Sequence, residues 1–429
     1  MNKTMTIMRD LIEEISMGPF GSDIKVENFK KSGVPVLNGA NVSGVKLKEG
    51  YENFLTPEKA DSLKKANVYS GDIVVTHRGT LGQLVYIPFD CDFDRYVISQ
   101  SQFKVRLKTD KVDPIYFSYY FHTSEGQKRL LSFKNHVGVP ALAQATTNFR
   151  LLEFPLIPID SQKRIAKILC DLDTKIDLNN AINLQLESMA KLIYDYWFVQ
   201  FDFPDENGKP YKSSGGKMVY NKELKREIPE NWNSGGFERF SEIKGGSTPS
   251  KSNNSFFTDS GKGLSWITPK DLSNNTGNVF IKSGETDVTE EGLRNANLKI
   301  LPKGSILMSS RAPIGYVAIN SIEATTNQGF KSFVPKEKNI TEFLYFTIKS
   351  SIPIMEQFSS GSTFKEISAS TLKTIQIAIP PESMIDRFSQ LTGSIFKSIE
   401  LREQESDELA KQRDWLLPML MNGQVRIKD

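Results

Sequence analysis

Cysteine is nearly absent from this chain: Cys91 and Cys170 are the only two in 429 residues. Two thiols cannot build a disulfide framework or a four-thiolate zinc site, and their scarcity points to a reduced, cytoplasmic compartment. Histidine is nearly as rare, and the three, His77, His122 and His136, show neither HxH nor HxxxH spacing, so no metal is expected. No apolar run reaches the ~18–20 residues that span a bilayer. The opening MNKTMTIMRDLIEEIS has no apolar h-region and no small-residue cleavage site, so no secretory signal is expected. There is no GxxxxGKS/T phosphate loop, and no Asn/Asp-Pro-Pro-aromatic motif of the kind that holds a flipped base for methylation. Acidic pairs such as Glu13-Glu14 and Glu290-Glu291 read as solvated turn or helix positions, not as a nuclease centre. Neither catalysis nor a cofactor is expected of this chain. Its net charge is only +3, so any grip on nucleic acid must come from local patches.

What the chain does contain is a repetition of itself. SGDIVVTHRGTLGQLVYI at 70–87 echoes KGSILMSSRAPIGYVAI at 303–319, and a constant offset of 233 residues pairs Gly71, Arg78 and Gly82 with Gly304, Arg311 and Gly315. Downstream, QFKVRL aligns with GFKSFV, setting Phe103 on Phe330 and Lys104 on Lys331. FPLIPIDSQKRIAKIL at 154–169 then matches IAIPPESMIDRFSQLT at 377–392, with Arg164 on Arg387. Collinear blocks of this kind mark a duplicated chain. Each half opens with short strand-like runs between Gly, Asn and Pro turns, such as DIVV, QLVYI, SILM and YVAI. Short helical patterns join them, such as PIYFSYYFHT and TEFLYFTIKS. The class is α+β: two similar mixed domains, each followed by a long helix.

The first long helix is expected from about Ser161 to Phe198. Its heptad seam reads Ile165, Leu172, Leu186 and Ile193 at one position, and Ile168, Ile182, Met189 and Tyr196 at the other. Lys175 and Asn179 interrupt it. The second, from about Ser383 to Leu417, places Phe388, Ile395, Leu409 and Leu416 at one position. Its other position is poorer, with Leu391 and Met419 at the ends. Both helices far exceed the usual ~11–12 residues, and sustained heptads argue for coiled-coil pairing. A long surface helix packed on a globular core is the alternative. The polar, glycine-rich stretch after Phe203 reads as a flexible connector that lets the chain double back. An antiparallel pair follows, a rod with one globular domain near each end. Tyr194, Tyr196, Trp197, Phe198, Phe201 and Phe203 crowd the end of the first helix. They either pack on a neighbouring domain or await a partner protein, as does Trp415 on the second helix.

These residues resemble the specificity subunit of type I restriction-modification systems, over essentially the whole chain. GDIVVTHRGTLG, the proline-terminated run before each helix, LIYDYWFVQFDFP followed by NGKPYKSSGGKMV, and REIPENW at 226–232 carry the resemblance. One departure is that the first half opens with IMRDLIEEI and has no counterpart of IPENW. The resemblance implies two α/β target-recognition domains separated by an antiparallel pair of coiled-coil helices, with pseudo-twofold internal symmetry. Its boundaries would be 1–158 and 228–381 for the recognition domains, 159–202 for the central helix, 203–227 for the linker and 382–429 for the C-terminal helix and tail. It further implies a non-catalytic reader of a bipartite, asymmetric double-stranded DNA sequence, with the helices setting the unread spacing. Methyltransferase subunits, two in number, would dock on the helices, and restriction–translocase subunits would join. A duplicated helical scaffold that reads no DNA is the alternative.

Arg78 and Arg311 are the first candidate DNA contacts, since arginine can bond guanine in a bidentate way or clamp phosphate. Being shared by both halves, they fit a structural or phosphate role better than a sequence-reading one. Lys104 and Lys331 fit phosphate contacts. Loops that differ between the halves are the better specificity candidates. In the first half these hold Ser22 and Lys25, then Lys134, Asn135, His136 and Gln144. In the second they hold Lys244, Ser247, Thr248, Lys251 and Asn253, then Ser362, Thr363 and Lys365.

Overall fold

The computed structural model describes residues 3–21, 23–135, 140–311, 313–359, 366–425 and 427. It divides into two compact units, residues 1–175 with 409–429, and residues 176–408.

In the first unit an antiparallel sheet runs in the order Ile12–Met17, Gln102–Leu107, Ile73–Thr76, Leu84–Tyr86. A second sheet runs Phe54–Leu55, Val34–Leu37, Tyr96–Ile98, Asn67–Val68, and its central pair is parallel. Successive side chains of a strand point to opposite faces. Ile73 and Val75 therefore enter one apolar cluster with Leu84, Tyr86 and Phe154, while Val74 and Val85 enter another with Leu37, Val97 and Ile98. Both faces are buried, which is why IVV and LVY read as unbroken apolar runs and show no alternation.

The second unit repeats this plan. Its antiparallel order is Ser241–Gly245, Phe330–Pro335, Ile306–Ser310, Ile314–Asn320, with Phe280–Ile281 added at the edge. Its other sheet pairs Leu264–Ile267 in parallel with Ala324–Thr326. Ile306 and Met308 face one cluster and Leu307 the other. The 233-residue offset holds in the register, since Ile73 faces Tyr86 as Ile306 faces Ile319. It reaches further back than the repeated block: Thr56 caps a short helix by accepting from Lys59 N, and Thr289 does the same for Gly292 N. The opening IMRDLIEEI, which lacks IPENW, has a structural counterpart nonetheless: the turn Met8–Asp10 leads into Ile12–Met17 as Phe237–Arg239 leads into Ser241–Gly245. Thr4–Ile7 pairs with Glu153–Leu156 just as Asn233–Gly235 pairs with Ile377–Ile379.

One alignment made from sequence shifts by a residue. Val75 lies opposite Phe103, and Met308 opposite Lys331. Lys331 therefore corresponds to Phe103, not to Lys104, whose counterpart is Ser332. A one-residue slip moves a side chain to the other face of a sheet. Lys104 is 2% exposed, its Nζ donating to Asn67 O at 3.0 Å and pairing with Glu14 at 2.9 Å. Buried and paired in this way, Lys104 is not a phosphate contact, contrary to the expectation from sequence.

The long helices are Ile159–Tyr194 and Glu382–Asn422. In the first unit Asp173 pairs with Arg413 at 2.6 Å and also accepts from Tyr119 Oη. In the second unit Asn179 donates to Glu405 at 2.8 Å, and Trp197 and Phe198 pack on Phe388. Within each unit the helices thus run antiparallel. The seam of the first helix is Ile165, Leu169, Leu172, Ile176, Asn179, Asn183, Leu186, Ala190, Ile193 and Trp197, buried or half-buried throughout. Its second position falls one residue later than the apolar pattern suggests, because a buried Asn183 occupies it while Ile182 sits alongside. Met189 is accordingly 54% exposed and Tyr196 37%. Leu391, placed in the seam of the second helix, is likewise exposed and Thr392 is buried. Carboxylates bolt the second helix to its unit: Glu400 pairs with Lys303, and Glu403 accepts from the amides of Val279 and Phe280 at 2.7 and 2.9 Å. Burial pushes the Glu403 carboxyl up to about 8.

The connector is folded. Met218–Asn221 and Arg226–Pro229 form a hairpin, Asp202 accepts from Ser213 N and Oγ, and Phe203 stacks between Tyr211 and Trp232.

The two copies resolve one buried position differently. In the first unit Asp72, 1% exposed, takes a two-pronged bond from Arg106 at 2.7 and 2.8 Å. The corresponding residues of the second unit are Ser305, whose Oγ donates to Pro302 O, and Val334, an uncharged solution to the same site. Removing one member of a buried pair strands the other, whereas removing both need not destabilise. Arg106→Val should therefore cost about 2–4 kcal/mol in urea unfolding, and adding Asp72→Ser should recover most of it.

Candidate DNA interface

In each unit the central strand ends at an arginine-bearing turn, and the segments around that turn form one polar edge. In the first unit His77 N donates to Ser101 O, and His77 Nε2 lies 3.1 Å from Gln100 O. A carbonyl only accepts, so Nε2 carries the proton. Burial lowers the pKa of His77, helped by the charge of Arg78, which keeps the ring neutral. Gly18 N donates to Gln102 O, and a Cβ on Gly18 would sit 2.1 Å from Ser99 O, so only glycine lets the turn that follows come this close. Gly21 lies against the Gln100 side chain. From the other side, Gly79 N donates to Pro140 O and Leu142 N to His77 O, and Arg78 bridges to Ala141. Lys134 and Asn135, both exposed, pair with Leu142 and Ala141. Gln144 is exposed in the left-handed conformation, φ 42°, at the start of the helix Ala145–Leu151.

The second unit assembles the same edge from different side chains. Ser247 N donates to Thr326 O, and a Cβ on Gly246 would sit 2.0 Å from Asn327 O. Thr248 Oγ1 donates to Gln328 Oε1, and Ser247 O accepts from Trp266 Nε1 at 3.2 Å. Ser310 N donates to Gly329 O, and Ile367 N to Ser310 O. Arg311 bridges to Glu366, whose carboxylate lies 3.8 Å from Arg311 and 3.5 Å from Lys331.

Arg78, Lys134, Asn135 and Gln144 thus come together in the first unit, and Ser247, Thr248, Arg311 and Lys331 in the second. Lys25 is exposed and pairs with Glu27 at 3.7 Å. Lys244 pairs with Glu242 at 3.3 Å. Lys251 is exposed further along its loop, where Asn253 accepts from Ser255 N. Ser22, His136, Ser362, Thr363 and Lys365 lie outside the described residues.

Sequence reasoning missed Gln100 and Gln328. Both are exposed, and both stand at the turn linking the two sheets of their unit. The signal was the pair of polar turns SQSQF and NQGFK, which align at an offset of 228 residues once the shorter preceding loop of the second half is allowed for. Glu366 lay in a candidate loop but was not singled out.

The aromatic candidates resolve toward the domain. Tyr194, Trp197, Phe198, Phe201 and Phe203 are all at most 6% exposed in the core of the second unit. Phe198 meets Phe343 at 4.9 Å and Phe388 at 5.2 Å. They cannot serve as a free partner surface, because deep burial already spends their apolar area. Tyr196 and Trp415 remain outward. Exposed apolar side chains also occur at Met189 and Leu192 of the first helix and at Val199, in the π-helical turn Asp195–Val199 that extends it. Among the described residues no helix is long and apolar enough to cross a membrane.

Residues 21–188 and 229–409 match the family described as type I restriction modification DNA specificity domain. The chain is 37% identical over 187 residues to the type I restriction enzyme MjaIX specificity subunit of Methanocaldococcus jannaschii, covering 43% of this chain and 42% of that protein. It is 26% identical over 418 residues to the HindI specificity subunit of Haemophilus influenzae, covering 84% and 88%. The fold is similar to that of the type I restriction-modification S subunit from M. genitalium, with a TM-score of 0.57 at 15% identity over 98% of this chain and 96% of that one.

Gln144 combines backbone strain with an exposed amide on this edge. A glycine relieves the left-handed strain at some entropic cost, so Gln144→Gly should stabilise the fold by ~0.5–1 kcal/mol. The same change removes the amide and should weaken duplex binding. A higher melting temperature with a lower DNA affinity is the expected pair of readings; unchanged affinity would show that Gln144 does not touch DNA.

Proposed function

Because the chain belongs to the type I restriction-modification DNA specificity family, we propose that each of its polar edges reads one half of a bipartite, asymmetric double-stranded DNA sequence. The recognition domains would span 1–158 and 228–381, with 159–202 and 382–429 as helical regions and 203–227 as the link. The observation that carries this reading is the duplication itself. One backbone frame is built twice, with an arginine and a glutamine at matching positions of its edge, while the surrounding side chains differ. A shared frame positions the protein on the duplex, and differing side chains distinguish bases. Glutamine can bond adenine N6 and N7 in a bidentate way, and the glycine turns beside it admit close backbone approach.

The chain carries no catalytic step in this reading. It acts in the cytoplasm as the sequence reader for methyltransferase subunits, two per chain, and for restriction–translocase subunits. Met189, Leu192, Tyr196 and Val199 form an outward stripe at the three- and four-residue spacing that a partner helix packs against. We assign that stripe, with Trp415, to the methyltransferase.

Fluorescence anisotropy with a duplex bearing the methylated motif tests the reading. The full chain carrying Gln100→Ala and Gln328→Ala, bound to its methyltransferase subunit, should lose about 10–100-fold in affinity with an unchanged melting temperature. Undiminished affinity would contradict it.

A further inference from the structure

Arg311, Lys331 and Glu366 form a loosely held charged cluster on the polar edge of the second unit. Glu366 holds both cations only loosely, at 3.8 and 3.5 Å, and the side chains of all three make no closer polar contact among the described residues. Contrast Asp72 and Arg106, which bond each other at 2.7–2.8 Å and take Tyr69 N and Glu14 as further partners. The Arg311 cluster keeps one net positive charge, and among the described residues its guanidinium fork and carboxylate oxygens are still open. Arg311 and Glu366 have side chains 38% and 41% exposed, and Lys331, at 13%, stands behind them.

A carboxylate on a DNA-facing edge is repelled by phosphate, so its presence needs a positive reason. Only guanine offers two acceptors, O6 and N7, to one arginine fork in the major groove. Its partner cytosine presents the N4 amino donor beside them, and that donor is what a carboxylate accepts. A fork and a carboxylate set side by side therefore match the edge of one G·C pair. The first unit shows the same frame without this device: Arg78 bridges to Ala141 where Arg311 bridges to Glu366, and Phe103 stands where Lys331 does. The two domains thus share the arginine and differ in what stands next to it, as a difference in sequence reading requires.

Resting on the reading that this edge faces DNA, we propose that Arg311 and Glu366 together read one G·C base pair in the half-site bound by the second recognition domain. Arg311 bonds the guanine, Glu366 accepts from cytosine N4, and Lys331 holds the carboxylate in place as a positioning residue.

The test is motif determination on plasmid libraries methylated by the full chain with its methyltransferase subunit. Glu366→Ala installs the first domain's residue at a half-buried site, and Arg311→Lys keeps the charge while removing the fork. Both variants should relax one and the same G·C position of one half-motif, losing about 10–100-fold in discrimination there, with the other half untouched. A wild-type half-motif without a G·C pair overturns the inference. So does uniformly slower methylation with an unchanged motif, or relaxation at two different positions. If the motif is unchanged while Gln328→Ala weakens binding, only the base-pair assignment falls. If Gln328→Ala is also without effect, the DNA-facing edge falls with it.

Discussion

In each unit the strand that ends in arginine is clamped between two antiparallel neighbours, and that hydrogen-bond register decides which side chains emerge at the polar edge. Ile73–Thr76 and Ile306–Ser310 carry apolar residues on both faces, so each is gripped by two clusters at once. Sliding either strand by one residue would turn its whole apolar set over. The edge is thus a by-product of a core that cannot shift. Side chains that point outward from the turn can vary because they do not hold the sheet together, whereas Gly18 and Gly246 are fixed by close backbone approach.

The helices add a second constraint. Their seam is apolar at its ends and polar in the middle, where Asn179 and Asn183 are 1% and 4% exposed. Asn179 reaches Glu405 and Ser406, while Asn183 has no partner for either amide atom among the described residues. A buried polar layer weakens such a pair but fixes its register, since any slip would bury the amides against hydrocarbon. The first helix is held by directed bonds, from Tyr119 and from Arg413 of the second helix to Asp173, and from Tyr345 and Lys349 to Glu187.

Much of this was legible from sequence. The duplication could be read because the Gly-x-Ile blocks encode a strand, a tight turn and a second strand, all of which need particular residues. The long helices followed from heptads and from the absence of interior breakers over most of their length. Two finer features were hidden. The heptad phase was misread at Asn183, because a polar residue in the seam beside an apolar one outside it inverts the usual cue. The pairing of Lys104 with Lys331 was misread because FK recurs by coincidence one residue out of structural register. The connector was read as flexible from its Gly, Ser and Lys content, although Phe203, Tyr211 and Trp232 pin it through stacking that only folding brings together. The edge itself was only partly visible. Its arginines were evident, but Gln100 and Gln328 reach it through a turn between sheets, which no local pattern announces.

The central claim is that two copies of one frame read DNA independently. Exchanging residues 232–381 for the matching segment of a relative with a different methylated motif, then sequencing methylated genomic DNA, tests it most directly. The account predicts that one half of the motif takes the donor's sequence and the other half stays as it was. A motif altered in both halves, or in neither, would contradict it.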